Sequence, residues 1–355
     1  MGRPTKFVID NKALEYNISL AKKLAGNSRV MGVVKADAYG HGVGRTMQSL
    51  HKLDALALLE LEKALELRAS GYKKPILLLE GYFDEKQLEI FSEASLYAVI
   101  HNTEQVNMLL SSVVKKPIGI FLKLNSGMNR LGFPPEQFKK KFVSLAESGK
   151  VKEIVAMTHY ADADGKHGID WQYRVFSEVI DGIKDNVKTS LGNSAALLSY
   201  PNKVGDWVRP GIMLYGASGL PEPNHCLKPV MSLKSEVISR QSIKKGESVG
   251  YGCDFIADRD MKIGIVACGY GDGYPRNIRS NTPVMVGNKE ATIVGRVSMD
   301  LLAIDLTNFS PEEQIEEVTL WGDTLPVEKI ADAAGTISYD LLVRASKRVR
   351  FVSCG

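Results

Sequence analysis

The chain has 355 residues, with 45 basic against 41 acidic side chains and a formal net charge of +4. That length exceeds one ordinary domain, and the small charge excess, with no basic block interleaved with aromatics, argues against a nucleic-acid partner. Hydrophobic residues make up 44% of the chain, yet no run reaches the ~18 uncharged apolar residues of a membrane span, so no membrane partner is expected either. The N-terminal stretch MGRPTKFVIDNKALEYN lacks the apolar core of a signal peptide. Cys226, Cys253, Cys268 and Cys354 lie far apart without a CxxC spacing. That argues against a metal site and for reduced thiols, which sets cytoplasmic location as the expectation.

A helix opens at Asp10 as N-cap, with Leu14, Ile18 and Ala21 at helical spacing. RVMGVV (29–34) then reads as a strand. DALALL (54–59) precedes the helix ELEKALELRAS, which Gly71 closes. KPILLLEG (74–81) leads into EKQLEIFSEA, and LYAVIHN (96–102) into TEQVNMLLSS, with Thr103 as N-cap. PIGIFLKL (117–124) precedes a helix opened by Pro134-Pro135. VKEIVAMTHY (151–160) precedes WQYRVFSEVIDGI, NVKTSLGN (186–193) precedes SAALLSY, and KVGDWVRPGIMLYG (203–216) holds an eighth strand. The strands are apolar throughout, as parallel strands covered on both faces are. Eight strands, each but the last followed by a helical segment, predict an α/β fold with an N-terminal (β/α)8 TIM-type barrel. A doubly wound open sheet is the alternative. After about residue 228, pieces such as VMSLKSEVIS, KIGIVACGY, TPVMVG, ATIVGRV and LLAIDL, joined by turn clusters, predict a mainly β C-terminal domain. The expected division is 1–228 and 229–355, with residues 1–9 a candidate extra strand for the β domain.

In such a barrel the chemistry sits at the C-terminal ends of the strands. Lys35 ends the first strand, and Lys123, Asn125 and Arg130 follow the fifth. His159 and Tyr160 end the sixth, Asn193 and Ser194 the seventh, and Arg209, Gly211 and Ile212 the eighth. GNS opening a helix and RPGI turning after the last strand fit a phosphate site built from backbone N–H groups and the Ser194 hydroxyl. A phosphate at one side and a lysine amine at the other suggest a phosphorylated carbonyl cofactor held as a Schiff base, pyridoxal phosphate above all. A Schiff-base sugar-phosphate aldolase also remains compatible.

VVKADAYGHG, KLNSGMNRLGF, THYADAD, GNSAA, VRPGIMLYG, VGYG, GYGDGYPR and GRVSMD occur in this order. Together they closely resemble the alanine racemase family from RPTKFVID near the start to ISYDLLVR near the end. The resemblance implies pyridoxal 5'-phosphate as cofactor, L-alanine and D-alanine as substrates, and a homodimer with shared active sites. It implies that Lys35 holds the cofactor and serves one face of the substrate α-carbon, while Tyr251 of the partner subunit serves the other. A phenol titrates near ~10, so Tyr251 needs assistance, which His159 and Arg209 would give through linked hydrogen bonds. Arg209 would face the pyridine nitrogen, and Arg130 the cofactor's phenolic oxygen and the substrate carboxylate. Lys123, carbamylated in some members, would hold Arg130. Tyr39, Ser194, Gly211, Ile212 and Tyr339 would bind the phosphate, with Asn193 beside them. Met299 would offer its backbone N–H to the substrate, and Tyr270 would guard the entrance. Residue 298 is Ser where some members carry cysteine, so no thiol chemistry is expected there. A broad-specificity amino-acid racemase and a non-catalytic pyridoxal-phosphate carrier are the competing readings on the same fold.

Overall fold

The computed structural model describes residues 2–183, 186–220, 226–310 and 317–354. The chain termini Met1 and Gly355, named in the expected division, lie outside them. The chain divides into two compact units, one of Ile18–Ala38 and Leu50–Leu214, the other of Met1–Asn17, Tyr39–Ser49 and Tyr215–Gly355. No helix among the described residues is long and apolar enough to cross a membrane.

The chain opens with β1 (Lys6–Asp10) and a helix, Asn11–Ala25. The Asp10 carboxylate accepts from the Ala13 backbone N–H at 2.9 Å, which satisfies one of the helix's orphan donors. The first unit then supplies β2 (Arg29–Val33), β3 (Ala55–Leu58), β4 (Ile76–Leu78), β5 (Tyr97–Ile100), β6 (Ile118–Lys123), β7 (Val151–Met157), β8 (Lys188–Ser190) and β9 (Trp207–Val208). They form one parallel sheet in the order β8-β7-β6-β5-β4-β3-β2-β9. The Arg209 backbone N–H donates to the Gly192 carbonyl at 2.9 Å, and Ser190 Oγ donates to the Trp207 carbonyl at 2.8 Å. These bonds join the two remaining edges, so the sheet is a nearly closed barrel and not an open doubly wound sheet. Every residue of β3, β4 and β6 is buried, and each large aliphatic removed from water contributes about 1.5–3 kcal/mol.

Two local expectations change. The N-cap of helix Thr103–Ser111 is Asn102, whose side chain accepts from the Gln105 N–H at 2.8 Å, and not Thr103. Asn102 has the extended backbone that a capping side chain needs to reach forward. The first strand is followed not directly by a right-handed helix but by Lys35–Tyr39. There Ala36, Asp37 and Ala38 have φ of 51°, 52° and 57° with ψ near the left-handed helical value, and Tyr39 has φ 54°.

The second unit is built on a nine-stranded sheet in the order β11-β14-β17-β16-β15-β18-β10-β1-β19. Its further strands are β10 (Met231–Ser235), β11 (Val237–Ile243), β14 (Met261–Val266), β15 (Pro283–Val286), β16 (Lys289–Val294), β17 (Leu302–Asp305), β18 (Val318–Trp321) and β19 (Arg350–Cys354). A separate pair, β12 (Ser248–Val249) and β13 (Phe255–Ile256), stands beside it in sequence. The stretch VMSLKSEVIS divides at Glu236, and its two halves occupy different places in the sheet. β1 runs antiparallel to β10 and parallel to β19, with Phe7 opposite Leu233 and Phe351. Phe7 also packs on Trp321, ring centroids 6.4 Å apart. Two short helices, Val327–Ala333 and Ser338–Val343, complete the unit.

Candidate active site

Lys35 leaves the barrel where the β2 ladder ends. The Val33 N–H donates to the Pro210 carbonyl at 2.9 Å and the Val34 N–H to the Ala57 carbonyl at 2.8 Å, one residue before the lysine. Burial lowers the Lys35 pKa, the Arg130 charge lowers it further, and Glu80 opposes the shift. The direction favours the neutral, nucleophilic amine.

Lys123 closes β6 and is buried. Its pKa is pulled down to about 8, first by burial and then by the charges of Arg209 and Arg130. Arg130 is exposed and sits on a loop that Asn125 holds, its Oδ1 accepting from the N–H of Gly127 at 3.1 Å and of Asn129 at 3.0 Å.

Arg209 is fixed at four points. Nη1 donates to Ser190 Oγ at 2.6 Å, while Nη2 faces the Thr158 carbonyl at 2.8 Å, His159 Nδ1 at 3.2 Å and the Leu191 carbonyl at 3.3 Å. Burial lowers its pKa only to about 10, so it stays charged at neutral pH. As guanidinium nitrogens only donate, the contact makes His159 Nδ1 the acceptor and assigns the ring proton to Nε2. Burial drives the His159 pKa well below its ordinary value, and the charges of Arg209, Lys123, Arg130 and Lys35 act in the same direction. One neutral imidazole therefore senses all four cations, which come from the ends of three different strands, β2, β6 and β9.

Ser194 Oγ accepts from the Gly211 N–H at 2.9 Å and the Met213 N–H at 3.4 Å, leaving its own O–H uncommitted by these two bonds. Gly211 thus directs its amide at Ser194. Ile212 is fully buried and opens the 3-10 turn Ile212–Tyr215. The Asn193 side chain caps the helix Ser194–Ser199 by accepting from the Ala196 N–H at 2.9 Å.

In the other unit Tyr39 stacks on Tyr215 at 5.0 Å between ring centroids and lies 6.0 Å from Tyr339. Burial raises the Tyr39 pKa, and Tyr339 adds to the rise, so its phenol is a proton donor at any working pH. His41 stacks on Tyr215 at 4.6 Å, and its Nδ1 lies 2.9 Å from the Tyr39 carbonyl. Sequence reasoning gave neither His41 nor Tyr215 a part. The only signal was that both lie inside two of the ordered motifs, VVKADAYGHG and VRPGIMLYG.

Tyr251 lies on a 3-10 turn and is 69% exposed, so it is not a packed strand tyrosine. Tyr270 and Met299 are 37% and 53% exposed and lie side by side. The Tyr270 N–H donates to the Ser298 carbonyl at 3.0 Å, and the Gly271 N–H to the Met299 carbonyl at 2.9 Å.

Comparison with known proteins points one way. Residues 9–219 match the family profile "Alanine racemase, N-terminal domain", and residues 230–353 match "Alanine racemase, C-terminal domain". An alanine racemase of Nitrosomonas eutropha is 45% identical over 359 residues, covering 99% of each chain. The crystal structure of the biosynthetic alanine racemase from Pseudomonas aeruginosa superposes with a TM-score of 0.95 at 40% identity, covering 100% of both chains. The alanine racemase of Bartonella henselae, solved with covalently bound pyridoxal phosphate, superposes at 0.87 with 26% identity over 99% of this chain and 100% of its own. With both family profiles matched in order and such identity over almost its whole length, the chain belongs to the alanine racemase family.

Proposed function

We propose that the chain interconverts L-alanine and D-alanine with pyridoxal phosphate, at sites shared between two copies. The observation that carries the reading is the cluster around His159, in which Lys35, Lys123, Arg130 and Arg209 converge on one barrel mouth. The donor set suits the cofactor. An amine with a lowered pKa is offered to its carbonyl, a rigid donor-only guanidinium to its ring nitrogen, and the Ser194 hydroxyl to its phosphate. When bound, pyridoxal phosphate supplies the electron sink that makes the substrate's α-proton acidic.

Lys35 holds the cofactor and moves a proton at one face of the substrate α-carbon. Tyr251 does so at the opposite face. Arg209 donates to the ring nitrogen and cannot pass a proton to it, since its own charge is permanent. That would limit how much negative charge the cofactor ring takes up. Neutral His159, oriented by Arg209, would present Nε2–H to the partner subunit's Tyr251 phenol. Arg130 and the Met299 N–H hold the substrate carboxylate, Lys123 steadies Arg130, and Tyr270 lines the entrance. Asn193, Gly211 and Ile212 shape the phosphate end. The lowered pKa of Lys123 supplies the neutral amine that carbamylation requires. Residues 1–228 carry the cofactor, and 229–355 bring Tyr251 and Met299 to the partner's barrel. The exposure of both side chains supports this arrangement. The protein works in the cytoplasm and feeds D-alanine to peptidoglycan.

Borohydride reduction of the holoprotein followed by peptide mapping tests the attachment, with the pyridoxyl group expected on Lys35. Loss of optical rotation from L-alanine tests the reaction. A label on any other lysine, or L-alanine left unchanged by the cofactor-loaded protein, overturns the reading.

A further inference from the structure

We propose that Arg348 is a positioning residue that holds the Met299–Asp300 peptide plane directly and braces the segment whose Tyr270 N–H holds the Ser298–Met299 plane, and through them the substrate carboxylate contact. The inference rests on the alanine reading above. Two segments, Gly269–Asp272 and Ser298–Asp300, lie closely paired. A Cβ on Gly269 would stand 2.3 Å from the Ser298 carbonyl oxygen and 2.5 Å from the Met299 carbonyl, so only glycine permits the approach. The Tyr270 N–H holds the Ser298 carbonyl at 3.0 Å. In a trans peptide this directs the Met299 N–H away from the Tyr270 segment. The Gly271 N–H holds the next carbonyl, that of Met299, at 2.9 Å.

Arg348 locks this pairing from one side. Its Nε donates to Asp272 Oδ1 at 2.9 Å, and its Nη2 reaches Asp300 Oδ1 at 2.8 Å and the Met299 carbonyl at 3.2 Å. Asp272 is the anchor. It is fully buried, its Oδ2 accepts from the Gly269 N–H at 2.9 Å, and its Oδ1 also takes Arg3 Nη1 at 2.5 Å. One planar fork thus ties the buried carboxylate of the first segment to the carbonyl and carboxylate of the second. A lysine ammonium has neither the reach nor the fixed fork to do this. Arg3 would still neutralise Asp272 if Arg348 were removed, so the fold has no orphaned buried charge to resist the change.

The test compares Arg348→Ala and Arg348→Lys with the native holoprotein in alanine racemisation and in amide hydrogen exchange. In Arg348→Ala, KM for both enantiomers rises roughly 10-fold, the scale of a lost charge-assisted hydrogen bond. Its kcat stays within about twofold, since Arg348 touches no reacting atom. The Gly271 amide exchanges faster while the Phe121 amide in β6 does not change. Arg348→Lys recovers only part of the KM. If the alanine variant does not fold, the lysine variant alone must still show the raised KM and the faster Gly271 exchange. A folded variant with native KM, or with kcat lost and KM unchanged, overturns the proposal. If the native protein leaves alanine unchanged, the functional reading fails instead, and the exchange readout still decides whether Arg348 holds the two segments.

Discussion

At the scale of single residues, the site is a group of cations held close together and discharged in part by burial. Lys123 shows the cost most directly. Its folded pKa of about 8 lies below the 10.5 of an ordinary lysine, first because it is buried and second because Arg209 and Arg130 repel its charge. Below pH 8 the amine is charged in both folded and unfolded chains, and the full penalty is present. Between pH 8 and 10.5 the unfolded chain binds more protons than the folded one, so stability rises with pH. The depression corresponds to up to about 3 kcal/mol regained across that window. Urea titrations of native protein and Lys123→Met at several pH values check this. The native curve should climb more steeply from pH 8 upward than the variant's. Parallel curves would mean that Lys123 is solvated or neutralised in the folded state. Tyr251 belongs to the same scale. In deuterated water, Tyr251→Phe should exchange the α-proton of D-alanine far faster than that of L-alanine, if Lys35 serves one face alone as proposed. Positioned acid–base groups contribute about 10²–10⁴-fold, so equal exchange rates would count against two bases.

At the scale of elements, the turn after β2 stands out. Four consecutive non-glycine residues, Ala36 to Tyr39, hold positive φ, at a cost of roughly 1–2 kcal/mol each for a residue with a Cβ. The strain falls between Lys35 and Tyr39, and it permits an abrupt reversal immediately after the strand. Ala36 is exposed, so Ala36→Gly should relieve strain without opening a cavity and raise the thermal midpoint by a few degrees, the shift of about 1 kcal/mol in a domain of this size. An unchanged or lower midpoint would show that the turn is not strained. The helix Thr103–Ser111 offers a second check. Asn102→Ala should destabilise by about 1 kcal/mol, while Thr103→Ala should cost only tenths, since the capping oxygen belongs to Asn102.

At the scale of the whole molecule, the β-rich unit exposes Tyr251, Ile256, Met299 and Leu301, and a second copy of the chain is the partner proposed for them. Mixing inactive Lys35→Ala and Tyr251→Phe subunits should then restore activity, because half the sites of a mixed dimer carry both native groups. Subunits that demonstrably exchange without regaining activity would place both bases in one chain. The barrel itself was legible because most of its strands are apolar runs followed by a helical or turn segment, with the polar three-residue β8 (Lys188–Ser190) the exception, and parallel pairing in a barrel needs no more specific local code. The strand pattern marked Lys35, Lys123, His159 and Arg209 as strand-end groups, since each closes or follows within two residues of an apolar run. What the sequence could not carry depends on residues distant in the chain. The left-handed turn at 36–39 consists of ordinary alanines, an aspartate and a tyrosine, none of which encodes positive φ. β1 pairs with β10 and β19 across more than two hundred residues. The neutrality of His159 comes from burial and from cations on other strands. The Asp272–Arg348 link joins residues 76 apart in sequence. The sequence by itself determined the order of strands and helices and the family, because apolar periodicity and short motifs are local. Only the tertiary structure decided the backbone conformation at the lysine, the protonation of the buried groups and the bracing of Met299, because burial, long-range pairing and electrostatic fields arise only once the chain has folded.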